Sequence, residues 1–231
     1  MLSVGYRKAV VLWLAVSLAA AYPASVRGKE SDKMNIDDSS GVQETPAGIV
    51  KDLVLYPRTA VGFHEKPIPA DTLKSILEAV TPYASLSHWK LITVQKKDNR
   101  IRLLESMQAA YREQAKPRWA ETMERWKHAP VILAFCMPEE DQEFGGVPAD
   151  IMHPMALIEL GMGVQSLILA ARAYGIETHW IASALLIEDM VGAEIGMPDG
   201  YRLVFFGIAG YPNEEIEQPF TRLDEICIGD L

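Results

Sequence analysis

Positive charge and cysteine are both scarce in this chain. Lys and Arg number 22 against 31 Asp and Glu, a formal charge of −9. No clustered basic surface is left to neutralise phosphates, which argues against a nucleic-acid partner. The two cysteines, Cys136 and Cys227, lie far apart with no metal-ligand spacing. Cys136 sits in Val131-Ile-Leu-Ala-Phe-Cys and reads as a buried strand residue rather than a nucleophile. His64, His88, His128, His153 and His179 form no i, i+4 pair, so no zinc or other metal is expected. A phosphate loop of the Gly-x-x-x-x-Gly-Lys type, a dinucleotide fingerprint in a strand-to-helix setting and a Gly-x-Ser-x-Gly elbow are all missing. A nucleotide hydrolase and a serine hydrolase lose their support with them.

What is present is enough apolar material for a full core: 49% of 231 residues. One domain is the simplest count. Arg7 and Lys8 precede an apolar run from Ala9 to Ala21, the shape of a secretory signal peptide or uncleaved signal anchor over residues 1–24. Export or membrane anchoring follows from that reading; a chain translated from Met34 would instead be cytoplasmic. Residues 25–46, rich in Ser, Asp, Lys, Glu and Gly, read as a disordered linker, which leaves 47–231 as the folded domain.

Within it, periodicity predicts a short helix from Gly48 to Tyr56 stopped by Pro57, an extended or looped Arg58 to Phe63, and a helix after Pro69 with Asp71 near its cap and Leu73, Ile76, Leu77 and Val80 inward. Trp89 to Gln95 alternates as a strand. Helices follow over Ile101 to Tyr111 and Arg118 to Lys127, then a strand from Val131 to Cys136. Glu139 to Met152, with Gly145, Gly146 and Pro148, reads as a long loop of the functional kind. Pro154 to Tyr174 is apolar almost all round, so a fully buried helix is expected, with Gly161 and Gly163 compensated by a close approach of backbone or ligand. Gly175 ends it as a left-handed cap. Short strands over 178–182 and 202–208 flank a helix over 187–195, and an acidic tail closes the chain. Strands separated by helices make an α+β domain. Trp119, Trp126, Phe144 and Met152 could line a pocket, though residues of these types at helical spacing usually belong to a core.

Several segments, in order, resemble the FMN-dependent nitroreductase family. Arg58-Thr-Ala-Val-Gly-Phe is similar to its opening Arg-Arg-Ser-x-Arg-x-Phe, and Ser85-Leu-Ser-His-Trp to Asn-x-Gln-Pro-Trp. Glu159-Leu-Gly-Met-Gly-Val-Gln-Ser resembles Asp-x-Gly-x-Ala-x-Gln-Asn, and Gly175-Ile-Glu-Thr-His-Trp-Ile-Ala resembles Gly-Leu-Gly-x-x-Trp-Ile-Gly. Gly210-Tyr-Pro and Arg222 match the family's closing Gly-Tyr-Pro and late Arg. The resemblance implies a central, mostly antiparallel sheet flanked by helices, a homodimer whose C-terminal tail extends onto the partner, and FMN as cofactor. It implies hydride transfer from NAD(P)H through the flavin to a small electrophile such as a nitroaromatic, quinone or enone, with no catalytic side chain. The flavin would be held by Arg58, Thr59, Ala60, Ser85, Ser87, Gln165, Ile181, Ala182, Ser183 and Arg222. The register departs from the family at Pro57 and Val61, where it carries cations, and at His88 and Glu177. A flavin-depleted binding or scaffold protein of the same fold is the alternative reading.

Overall fold

A computed structural model describes residues 48, 53–54, 58–84, 88–114, 116–139, 148–217 and 226, with the side chains of 58 and 214–217 outside that description. The predicted signal and linker, Ser85, Ser87, Phe144, Arg222 and all but Ile226 of the tail after 217 therefore lie outside the described residues, as does most of the helix expected over 48–56.

The strands run β1 (Arg58–Phe63), β2 (Lys90–Val94), β3 (Val131–Pro138), β4 (Glu177–Trp180), β5 (Tyr201–Gly210) and β6 (Pro212–Glu217). The helices are α1 (Ala70–Glu78), α2 (Lys97–Glu113), α3 (Pro117–Trp126), α4 (Ala149–Ala173) and α5 (Glu188–Ile195). Short 3-10 turns occupy Thr81–Tyr83 and Ala182–Ile187. The main sheet has the order β2-β3-β5-β4 with every pair antiparallel, and β1 pairs with β6 in a second, two-stranded sheet. This is the expected α+β architecture.

Successive residues of a strand face opposite ways, and β3 is buried over Val131 to Met137 because both faces are covered. Ile132, Ala134 and Cys136 pack with Leu103, Met107 and Tyr111 of α2, Met123 and Trp126 of α3 and Val191 of α5. Leu133, Phe135 and Met137 pack with Ile76 of α1 and Leu160, Val164 and Leu167 of α4. β1 and β6 join the distant ends of the chain, and Asn213 Nδ2 donates to the Phe63 carbonyl at 3.2 Å across 150 residues. The acidic segment expected as tail thus begins as a strand, because β1 offers it an open edge.

Two expectations about α4 need correction. It starts at Ala149 rather than Pro154, so the last residues of the expected loop are helical, and Pro154 sits one turn in. So close to the N-terminus, the missing N–H costs only one intrahelical bond. Nor is the helix buried all round: Ile151, Met155, Ile158 and Met162, at spacings of four, three and four, form an exposed apolar stripe, with Ile158 64% exposed. The other side is the packed one. Gly163 lies against Tyr83 and Trp89, so its close approach is internal, whereas Gly161 has nothing within 4 Å of where a Cβ would stand.

Candidate functional site

The segment after α4 is set by its C-terminus. Gly175, at φ 68°, lets its own N–H reach the Arg172 carbonyl and that of Ile176 reach Ala171, at 2.9 and 3.0 Å. That Schellman closure turns the chain directly into β4. His179 and Trp180 then point to opposite faces. The His179 ring lies 4.5 Å from Trp126, and its Nδ1 is 3.1 Å from Thr59 Oγ1. Burial lowers its pKa to about 4, with a bond to the Ala60 backbone opposing the shift. Trp180 stands edge-on to Phe205 at 4.5 Å and covers Gly207, where a Cβ would fall 2.5 Å from the indole.

Beyond Trp180 the chain leaves the sheet. The Ile181 N–H donates to the Phe206 carbonyl at 2.8 Å, and the turn Ala182–Ile187 begins at once. The first N–H groups of such a turn have no acceptor within it, so Ala182 and Ser183 present backbone donors at the mouth of β4. The Ser183 hydroxyl is 3.0 Å from the phenol of Tyr111, a fully buried residue whose pKa is pushed up by desolvation. Tyr111 stays protonated and fixes the turn to α2.

A second polar group gathers where β3 ends and β5 begins. Arg202 Nη2 lies 3.1 Å from His153 Nε2 on α4, and Glu188 accepts the Leu203 N–H at 2.6 Å. Burial raises the Glu188 carboxyl, and it pushes the Cys136 thiol up to about 11, which leaves that sulfur unreactive. The Tyr201 hydroxyl donates to the carbonyl of His88, a non-glycine residue held at φ 49°. Arg202 Nε, Trp180 Nε1 and, in the core, Trp126 Nε1 are buried without a partner among the described residues.

Of the residues assigned from sequence, the structure brings Thr59, Ala60 and the 181–183 turn together around β4. Arg58 contributes only its backbone to the description, paired with Glu217. Thr59 and Ala60 are buried, 7% and 0% exposed, and the Thr59 hydroxyl lies in hydrogen-bond contact with His179. Gln165 is exposed on α4, on the face that the chain leaves uncovered. Trp126 and Met152 are core residues. Sequence reasoning missed His179 and Tyr111 as organisers of the site. Both act through partners more than 70 residues away, and local periodicity carries no trace of such pairs.

A model described as the nitroreductase family matches residues 58–211. The chain belongs to the nitroreductase family. Solved structures of the same fold include a nitroreductase-like family protein from Bacillus cereus, with 17% identity, a TM-score of 0.61 and coverage of 82% of this chain and 99% of that one. An NADPH:FMN oxidoreductase from Vibrio harveyi complexed with NAD+ shares 18% identity at a TM-score of 0.60, covering 79% and 77%. A nitroreductase with bound FMN from Desulfitobacterium hafniense shares 19% at a TM-score of 0.58, covering 79% and 98%.

Against FMN, the residues of this chain divide. The ring system carries acceptors along one edge, and the Ala182 and Ser183 N–H groups suit such an edge. The phosphate needs cations or hydroxyl donors. Val61 offers neither, and the Thr59 hydroxyl is already committed to His179. What the described residues provide fits the ring better than the phosphate.

Proposed function

We propose that this nitroreductase is an FMN-dependent oxidoreductase that transfers hydride from NADH or NADPH to a small electrophile, a nitroaromatic, quinone or enone. Family membership over 58–211 supports the reading. The observation that carries it in the structure is the turn after β4, whose first N–H groups, at Ala182 and Ser183, have no acceptor within it. When bound, the flavin would supply the hydride chemistry, and the protein would supply orientation and electrostatics. Ala182 and Ser183 would hold the ring edge through backbone N–H groups. Tyr111 would keep Ser183 in place, and Arg58 and Arg222 would serve the phosphate.

The protein is also proposed to work as a homodimer. The stripe Ile151, Met155, Ile158 and Met162 is an apolar face without a cover, and a second α4 packed on it would bring the open Gly161 into close contact. The segment after Glu217 is proposed to reach onto the partner.

A binding or scaffold role without flavin is the second reading, favoured by one observation: the Thr59 and Ser183 hydroxyls both have internal partners. A visible spectrum of the purified protein with added FMN separates the two. A shifted flavin band near about 450 nm, with quenched fluorescence on titration, supports the enzyme. Flavin that remains free at micromolar protein supports the scaffold.

A further inference from the structure

Where β2 stops and β3 starts, a cleft of about 270 Å³ has Ile68, Pro130 and Val131 along its apolar side and Lys66, Arg100 and His128 along its polar side. Ile181 bonds to Phe206, which pairs with Ala134, so the cleft lies three residue rows along β3 from the turn described above, about 10 Å at the strand rise. The flavin reading does not use it.

Arg100 is 6% exposed. Its Nε donates to the Gln95 carbonyl at 3.0 Å and its Nη1 to the Ala129 carbonyl, which fixes the guanidinium plane and leaves the other Nη hydrogens for a ligand. Burial lowers its pKa, yet a guanidinium keeps its charge. Lys66 also lines the cleft, with Nζ 4.1 Å from the Tyr211 ring centroid. One carboxylate, Glu65, also borders the cleft, but Lys97 hydrogen-bonds to it and holds it below the usual carboxylate range. Its other oxygen is 3.8 Å from His128 Nδ1. With Glu65 balanced by Lys97, the charges of Lys66 and Arg100 are in excess, in a chain whose formal charge is −9.

We propose that the cleft is a binding site for a small carboxylate with an apolar body, its anion on Arg100 and Lys66 and its hydrocarbon on Ile68 and Val131. The volume sets the size. Pockets for drug-sized ligands run from roughly 300 to 1,000 Å³, so this one holds a smaller molecule. A fixed, partly desolvated guanidinium binds a carboxylate better than a flexible surface ammonium does. The apolar wall distinguishes an organic acid from a bare inorganic anion.

The test is titration of the full chain with isovalerate, followed by amide and methyl chemical shifts, with isovaleramide as the uncharged analogue and inorganic phosphate as the anion without a body. Saturable shifts at Ile68, Val131 and His128, with a dissociation constant of about a millimolar or tighter and at least fivefold weaker binding of both controls, are expected. Lys66→Ala, at an exposed position, weakens isovalerate by about twofold to fivefold. Arg100→Lys weakens it on the order of tenfold or more. Glu65→Gln, which removes the like charge, tightens it. Isovaleramide or phosphate binding as well as isovalerate overturns the proposal. So does binding unmoved by Lys66→Ala and Glu65→Gln, whatever the fate of the Arg100 variant.

Discussion

His179 is a neutral imidazole by construction. Its pKa falls from the ordinary value near 6.5 to about 4 through burial against Trp126 and β1. Between those values the unfolded chain binds more protons than the folded one, so stability rises with pH across that window. The contribution is complete above about pH 6.5 and is lost as pH falls toward 4, about 3 kcal/mol in all. Urea midpoints at pH 7, 5.5 and 4.5 should therefore fall more steeply for the natural chain than for His179→Gln. Gly207 offers a second check. A Cβ there would meet Trp180 at 2.5 and 2.7 Å and the His179 carbonyl at 3.0 Å, so Gly207→Ala should cost about 1–3 kcal/mol by overpacking. Equilibrium denaturation gives the loss, and a changed indole fluorescence locates it at Trp180.

At the scale of elements, α4 separates what its sequence discloses from what it does not. Its apolar length, its small residues and its glycine stop are all local, and the cap at Gly175 is found where the sequence puts it. Its exposed stripe is invisible in the sequence, because Ile158 and Leu160 have the same chemistry and only the position of the sheet makes one outer and one inner. The same limit applies to the start of the helix, where Pro154 looks like a boundary until the extra turn before it is seen. Strand β6 was missed for a related reason: an acidic segment beginning at Pro212 has little strand character without the edge of β1. If the stripe is a dimer surface, Ile158→Glu should convert a dimer to a monomer in sedimentation at micromolar protein. Gly161→Ala should weaken association even though it favours the isolated helix by roughly 0.5–1 kcal/mol.

For the whole molecule, the fold class follows from segment types that the sequence displays, whereas the strand order does not, and the site is only half legible. The segment Ile181 to Ser183, expected to continue a strand through 182, leaves the sheet after Trp180 as a turn, and the inward turn of Thr59 depends on a histidine 120 residues later. If the flavin reading holds, one open ring face must serve donor and acceptor in turn, and initial rates at varied NAD(P)H and acceptor should give parallel double-reciprocal lines. Intersecting lines would show that both are bound at once. The clasp of β1 to β6 has a consequence for how the chain is made. On the ribosome, Arg58–Phe63 emerges early and its partner strand follows about 150 residues later. At ordinary elongation rates that is a delay of roughly ten to thirty seconds. Throughout it the nascent chain carries a strand with Phe63 and an unfilled hydrogen-bonding edge, a natural foothold for a chaperone and an equally natural one for a neighbouring nascent chain. Only once Pro212–Glu217 has been made can the two strands close on each other.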